Sequence, residues 1–223
     1  MGERPCATTL KPEMTAEELA GLESWIRDAE LTGNHLEIGT AAGGTLCFLM
    51  TRYAEDARPH FSVVDTMSYF RDQLDTVKRN LVDHGLDPAR VDFRVSNSDD
   101  AFTAAAARKD RFDFMLVDAS HKIRYVMRDL RWLRLLAAGG IACFHDYAPA
   151  FKGVRWPIDR FLRRNPHFEK VGLAGSLLCV RKTSESSGSE VTALDRLWAS
   201  LCSPLLQWEL SWRKRLNRRS NAD

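Results

Sequence analysis

No apolar run in these 223 residues reaches the roughly 18–20 residues that a membrane-crossing helix needs. The longest, Leu135 to Phe144, is interrupted by two glycines and reads as a turn entering a buried strand. The first residues, Met-Gly-Glu-Arg-Pro-Cys, lack the apolar core of a secretion signal, and Cys6 stands where a myristoylation pattern needs Ser or Thr. Paired cysteines are also missing. The five present (Cys6, Cys47, Cys143, Cys179, Cys202) are scattered, odd in number and form no Cys-x-x-Cys, which fits a reducing, cytoplasmic setting better than a disulfide framework or a zinc ribbon. Charge of one sign is lacking as well: 32 Lys and Arg against 30 Asp and Glu leave +2, so nucleic acid or acidic lipid would have to be met by a local patch. Thirteen Gly and eight Pro exclude a collagenous chain, and no internal repeat is visible.

What is present is a chain long enough for a real core, with short apolar runs alternating with amphipathic stretches. The runs predict strands at His35–Ile38, His60–Val64, Val91–Val95, Phe112–Val117, Ile141–Phe144, Glu169–Leu173 and Leu177–Val180. Helices are expected near 15–30, 43–55, 70–84, 98–108, 122–137 and 155–165, with Lys152 to Arg155 in a loop. Alternation of this kind implies right-handed crossovers and an α/β fold with a doubly wound, mostly parallel seven-stranded sheet. The continuous apolar character of 114–117 and 141–144 fits strands buried on both faces. Only Ala174-Gly175-Ser176 separates the last two strands, so they should close the sheet as an antiparallel hairpin.

The first strand runs into Glu37-Ile-Gly39-Thr40-Ala-Ala-Gly43-Gly44. Glycines there let the backbone approach a ligand, and the following helix N-terminus offers free N–H groups. The spacing does not make the dinucleotide fingerprint G-x-G-x-x-G. Asp65 ends the second strand, where a carboxylate can accept hydrogen bonds from ribose hydroxyls. Taken alone, the same residues could be a tight turn and a helix cap.

Together with the terminal hairpin, they resemble the class I S-adenosylmethionine-dependent methyltransferases. Glu37-Ile-Gly39-Thr40-Ala-Ala-Gly43 matches that family's E-x-G-x-x-x-G, Asp65 matches its acidic residue, and the likeness covers about residues 30 to 182. It implies that the turn approaches the methionine part of S-adenosyl-L-methionine, that Asp65 binds the ribose, and that Ser98 lies against adenine. Asp118 joins these candidate cofactor residues.

Two later strand ends carry polar groups: Asp118-Ala-Ser-His121 and His145-Asp146-Tyr147. Both follow buried runs and emerge where open α/β sheets bind ligands. This narrows the resemblance to the metal-dependent small-molecule O-methyltransferases, including those acting on natural-product sugars. The resemblance makes Asp118, His145 and Asp146 candidate ligands for Mg2+ or a transition ion, and His121, with Asp118, the candidate catalytic group. His145 departs from the branch, since it stands where a carboxylate is usual. Imidazole suits softer ions, so this ring can bind another metal, touch substrate, or leave the site metal-free. His121 is the residue type suited to taking a hydroxyl proton near neutral pH.

The chain thus divides into a methyltransferase domain at 1–182, a Ser/Glu linker at 183–190 and a basic helical extension at 191–223. The stripe Val191, Leu194, Trp198, Leu201, Leu205, Trp208, Trp212 and Leu216 precedes Arg213, Lys214, Arg215, Arg218 and Arg219, and Ser203-Pro204 is expected to cap a second helical piece. That arm can dock on its own core, pair with a second subunit to make a homodimer, or lie on a membrane surface. The expected function is methyl transfer to the hydroxyl of a small molecule, a sugar or other natural product. The alternatives are an NAD-dependent oxidoreductase and a catalytically silent, membrane-tethered scaffold. Nucleic acid is not the expected partner, because no aromatic–proline motif for a flipped base follows the fourth strand.

Overall fold

The computed structural model describes residues 13–31, 33–185 and 190–220, with side chains in the last stretch through 208. Thr15 caps the first helix, α1 (Ala16–Asp28), through a reciprocal pairing with Glu18. Then follow β1 (His35–Ile38), α2 (Gly44–Met50), β2 (Phe61–Asp65), α3 (Gln73–Asp83), β3 (Val91–Val95), α4 (Ser98–Arg108) and β4 (Phe112–Val117). The second half holds α5 (Ile123–Asp129), β5 (Leu136–Phe144), α6 (Lys152–Arg164), β6 (Phe168–Ala174), β7 (Leu177–Lys182) and α7 (Ala193–Ser220).

The strands form one seven-stranded sheet in the order β3-β2-β1-β4-β5-β7-β6. β1 to β5 run parallel, and β7 inserts antiparallel between β5 and β6. The expected fold class and terminal hairpin are therefore present, with a two-residue turn, Gly175-Ser176, joining the hairpin strands. The strand order reverses beside β1 and β4, which opens a crevice past their carboxyl ends. Side chains on the two faces of the sheet make two cores. One, around Trp132, lies under α4 to α7; the other, around Leu46, Phe61 and Leu81, lies under α1 to α3.

Several local expectations are corrected. The helix expected over 122–137 ends at Asp129, a 3-10 turn covers Leu130–Leu135, and β5 starts at Leu136 instead of Ile141. The cause is local: Gly139 takes a left-handed φ of 85°, and a Cβ on Gly140 would stand 2.7 Å from the Asp113 carbonyl, where β4 and β5 slip register. Lys152 to Arg155 is the first part of α6 rather than a loop. No second helical piece starts at Ser203-Pro204, because α7 runs through Pro204 unbroken. An internal proline costs a helix about 3 kcal/mol. Here Pro204 is exposed to solvent, while Ala199 and Leu206 are buried on either side of it and anchor the helix on the core.

The single apolar stripe expected on the arm is likewise split. Val191, Ala199 and Leu206 enter the core and Trp198 packs against it, whereas Leu194, Leu197, Leu201, Leu205 and Trp208 face outward. Trp212 and Leu216 lie outside the described side chains. Asp195, also buried, fastens the arm by accepting from Arg160 Nε at 2.7 Å. Cys47, Cys143, Cys179 and Cys202 are free thiols, and Cys6 falls outside the described residues.

Candidate active site

Gly39 leaves β1 with φ 83°, and a Cβ on it would stand 2.4 Å from the Asp118 carbonyl oxygen. Only glycine lets the β1 and β4 exits lie that close. Gly43, at φ 84°, caps α2. Asp65 does not cap a helix; its Oδ2 accepts from the Thr40 N–H at 3.0 Å and its Oδ1 from the Met67 N–H at 2.7 Å. From α3, Gln73 and Asn80 donate to the carbonyls of Ala41 and Ala42, so the turn is held from outside as well.

A cavity of about 1220 Å3 opens over this turn, lined among others by Gly39, Asp65, Ser98, Asp118, His121 and Asp146. A smaller one beside it is lined by Glu37, Gly39, Thr40 and Asp118. The expected residues Glu37, Gly39, Thr40, Asp65, Ser98 and Asp118 therefore converge, whereas Gly43 lines neither cavity and shapes the turn. Glu37 is buried and its Oε2 has no hydrogen-bond partner. Burial, with the charges of Asp118 and Asp65 adding to it, pushes this carboxyl up to about 8. Ser98 Oγ accepts from the Trp132 indole N–H at 2.9 Å, which fixes the cavity's far wall. Asp129, buried in the same wall, is pushed by burial up to about 7.

At the other end stands an alternating set of carboxylates and imidazoles. His121, about half exposed, places Nε2 2.6 Å from Asp146 Oδ2. Asp146 reaches it from a left-handed backbone, φ 58°, a conformation that non-glycine residues hold only when their surroundings impose it. His145 Nδ1 donates to Asp118 Oδ1 at 3.1 Å and is 3.6 Å from Asp146 Oδ2. Its Nε2 lies 3.5 Å from Glu18 Oε2. Burial pulls the His145 ring down, but the hydrogen bond to Asp118 and the charges of Asp118, Asp146 and Glu18 win and push it up to about 9.

Glu18 is the residue that sequence reasoning missed. It is buried on α1, its Oε1 accepts from Ser176 N and Oγ in the hairpin turn, and its Oε2 accepts from Thr15 N and Oγ1. Burial opposes its charge, yet the Ser176 and Thr15 hydrogen bonds hold it down at about 2. Its one sequence signal, Thr15 three residues earlier, is accounted for by capping alone. Asp129 was hidden in a stretch that reads as an amphipathic helix.

A parallel sheet closed by a β7–β6 hairpin, with a glycine turn and an acidic β2 end at its switch point, is the architecture of class I methyltransferases that use S-adenosylmethionine. A sequence profile described as a methyltransferase domain matches residues 36–147, and the chain belongs to that family; it is an S-adenosylmethionine-dependent methyltransferase. No curated protein matches the chain by sequence. Among solved structures, CalS11, a TDP-rhamnose 3'-O-methyltransferase of calicheamicin biosynthesis, is 16% identical with a TM-score of 0.60 over 73% of this chain and 77% of that one. An O-methyltransferase from Bacillus cereus, solved with S-adenosylhomocysteine, is 17% identical with a TM-score of 0.60 over 76% and 83%. TomG from Streptomyces achromogenes, involved in tomaymycin synthesis and solved with S-adenosylmethionine, is 17% identical with a TM-score of 0.58 over 77% and 82%. At such identities the likeness is one of fold. Family membership removes the nicotinamide alternative.

Proposed function

We propose that the enzyme methylates a hydroxyl of a small molecule, a sugar or other natural product, with His121 as the general base. The observation that carries this reading is the 2.6 Å contact between His121 Nε2 and Asp146 Oδ2 at the rim of the large cavity. Asp146 accepts from Nε2–H, which fixes the tautomer and leaves the Nδ1 lone pair to take the acceptor's proton. As the ring becomes positive, the Asp146 carboxylate stabilises it. The 3'-O-methyltransferase activity named for CalS11, and the O-methyltransferase label of the other relatives, support oxygen as the target.

S-adenosylmethionine, when bound, supplies a methyl group on a sulfonium, so catalysis needs alignment of the acceptor oxygen more than covalent machinery. The chain suits that cofactor. Glu37 Oε2 is buried without a partner, and a cationic donor such as the cofactor's ammonium would draw the proton off this carboxyl and pair with it. Gly39, Thr40 and Asp118 would hold the same end, Asp65 the ribose hydroxyls and Ser98 the adenine side, while Gly43 keeps the turn open. We read 1–182 as the catalytic unit, 183–190 as linker and 191–223 as arm.

A resident divalent ion suits the cluster less well. The donor atoms of Asp118, His145 and Asp146 lie within 4.8 Å of one another, close enough for a metal. Yet both His145 nitrogens face carboxylates, Asp118 and Glu18, which without an ion push the ring up to about 9, so a metal would have to displace a proton to bind there. The protonated ring has no lone pair to give a metal. Its positive charge already balances the carboxylates, and proton removal falls to His121.

The test is His121→Ala, which should leave S-adenosylhomocysteine affinity intact while transfer falls about 10²-fold or more. Unchanged turnover would remove His121 as base. Binding of the cofactor without turnover on any hydroxyl acceptor would leave a silent scaffold instead.

A further inference from the structure

The arm α7 carries a feature that methyl transfer does not use. Leu194, Leu197, Leu201 and Leu205 are each 56–68% exposed and follow one another at three- and four-residue steps, so they form one stripe along the helix. Trp208, 65% exposed, extends it to a length of about 21 Å. This stripe is separate from the docking face, where Asp195, Ala199, Ser203 and Leu206 are buried. Contiguous apolar surface of this kind marks an interaction site more often than a bare solvent face.

Charge selects the occupant. From Leu197 to Trp208 the sequence has no charged residue, and the flanks of the stripe are Ser200, Pro204 and Gln207. Helices that pair with one another set register and partner with charged flanks, which are missing here. The same helix then carries Arg213, Lys214, Arg215, Arg218 and Arg219 with no acid among them, and residues 191–223 sum to +3 in a chain whose total is +2. Two copies lying side by side in parallel would bring those cationic ends together. An anionic bilayer surface meets both halves: leucines and tryptophan at the headgroup boundary, basic side chains against lipid phosphates.

We propose that α7 seats the enzyme peripherally on an anionic lipid surface. Insertion across the bilayer is not involved, since no helix among the described residues is long and apolar enough to span it.

The full-length protein should float with vesicles of 3:1 phosphatidylcholine to phosphatidylglycerol at 0.1 M salt, come off at 1 M salt, and ignore pure phosphatidylcholine. The triple variant Leu197→Gln, Leu201→Gln, Leu205→Gln alters only exposed side chains; it should bind at least tenfold more weakly with unchanged S-adenosylhomocysteine affinity. Arg213→Gln, Lys214→Gln, Arg215→Gln should lose about 10²-fold, at roughly fivefold per charge. No flotation of the wild type overturns the proposal, as does binding as tight as the wild type's by both variants. A dimer in sedimentation equilibrium that the three leucine changes dissociate would also overturn it and assign the stripe to a second copy.

Discussion

Replacing Glu37 by Gln should move stability and cofactor affinity in opposite directions. The carboxyl is buried, lacks a partner on Oε2 and stands at about 8 instead of an ordinary 4.5. Holding a proton so far above its unfolded value costs the ligand-free protein up to ~3 kcal/mol at pH 7, and about half of that after local relaxation. An amide of the same shape carries no such cost. Its Tm should be about 3–6 °C higher at pH 7 in a domain of this size. The sign with pH follows. A raised carboxyl contributes its full stability below 4.5 and loses it as pH climbs through 8, so the two proteins should melt together near pH 4 and diverge toward pH 8. Binding goes the other way. The carboxyl can release its proton to pair with the cofactor's ammonium and the amide cannot; that interaction is worth roughly 1.5–3 kcal/mol, so S-adenosylhomocysteine should bind about 10- to 100-fold more weakly to Glu37→Gln. Thermal melting and titration calorimetry across pH 4 to 8 read both quantities. A Gln variant that melts lower at pH 8, or binds the cofactor product as tightly as wild type, would refute the argument.

Other substitutions test the frame around the site. A Cβ at residue 153 would stand 2.1 Å from the His121 carbonyl oxygen. Gly153→Ala should therefore cost about 1–3 kcal/mol and, if His121 acts as proposed, lower kcat at least tenfold by displacing it; a wild-type kcat would contradict that. Glu18→Ala strips the hydrogen bonds to Thr15 and Ser176, so it should cost about 3 kcal/mol in chemical denaturation, with Glu18→Gln losing less; a loss below about 1 kcal/mol would show that the buried carboxylate is dispensable. Dialysis against chelator should leave methyl transfer intact, and restoration of lost activity by Mg2+, Mn2+ or Zn2+ would overturn the metal-free reading.

The parts legible from sequence are those fixed by local pattern. Three strands, His35–Ile38, Val91–Val95 and Phe112–Val117, begin and end where their apolar runs do, because burial on a sheet is decided residue by residue. The glycine turn, Asp65 and the strand-end groups Asp118, His121 and Asp146 were legible for a related reason: the fold places the carboxyl ends of the parallel strands β1, β2, β4 and β5 at the same crevice. What stayed hidden depends on tertiary neighbours. The run after Asp129 has helical periodicity, yet the approach of Gly140 to Asp113 draws it into the sheet. Pro204 reads as a helix start, and packing on both sides overrides it. Glu18 drew no reading from sequence, because its partner Ser176 is 158 residues away. His145 reads as a strand-end polar group, and its contact with Glu18 on the first helix, 127 residues earlier, has no trace in the local pattern.

The contact between His145 and Glu18 bears on the order in which the fold is completed. His145 is held from one side by Glu18, and Glu18 is held by the Gly175-Ser176 turn, whose Ser176 carbonyl also receives the Tyr147 N–H at 2.8 Å. A nascent chain that has already paired β1 to β5 still lacks the hairpin that locks the first helix in place. Contacts spanning such distances form late and slowly. The brace on His145 therefore forms only once the Gly175-Ser176 turn has been made, and a chain ending before residue 176 would present the sheet without it.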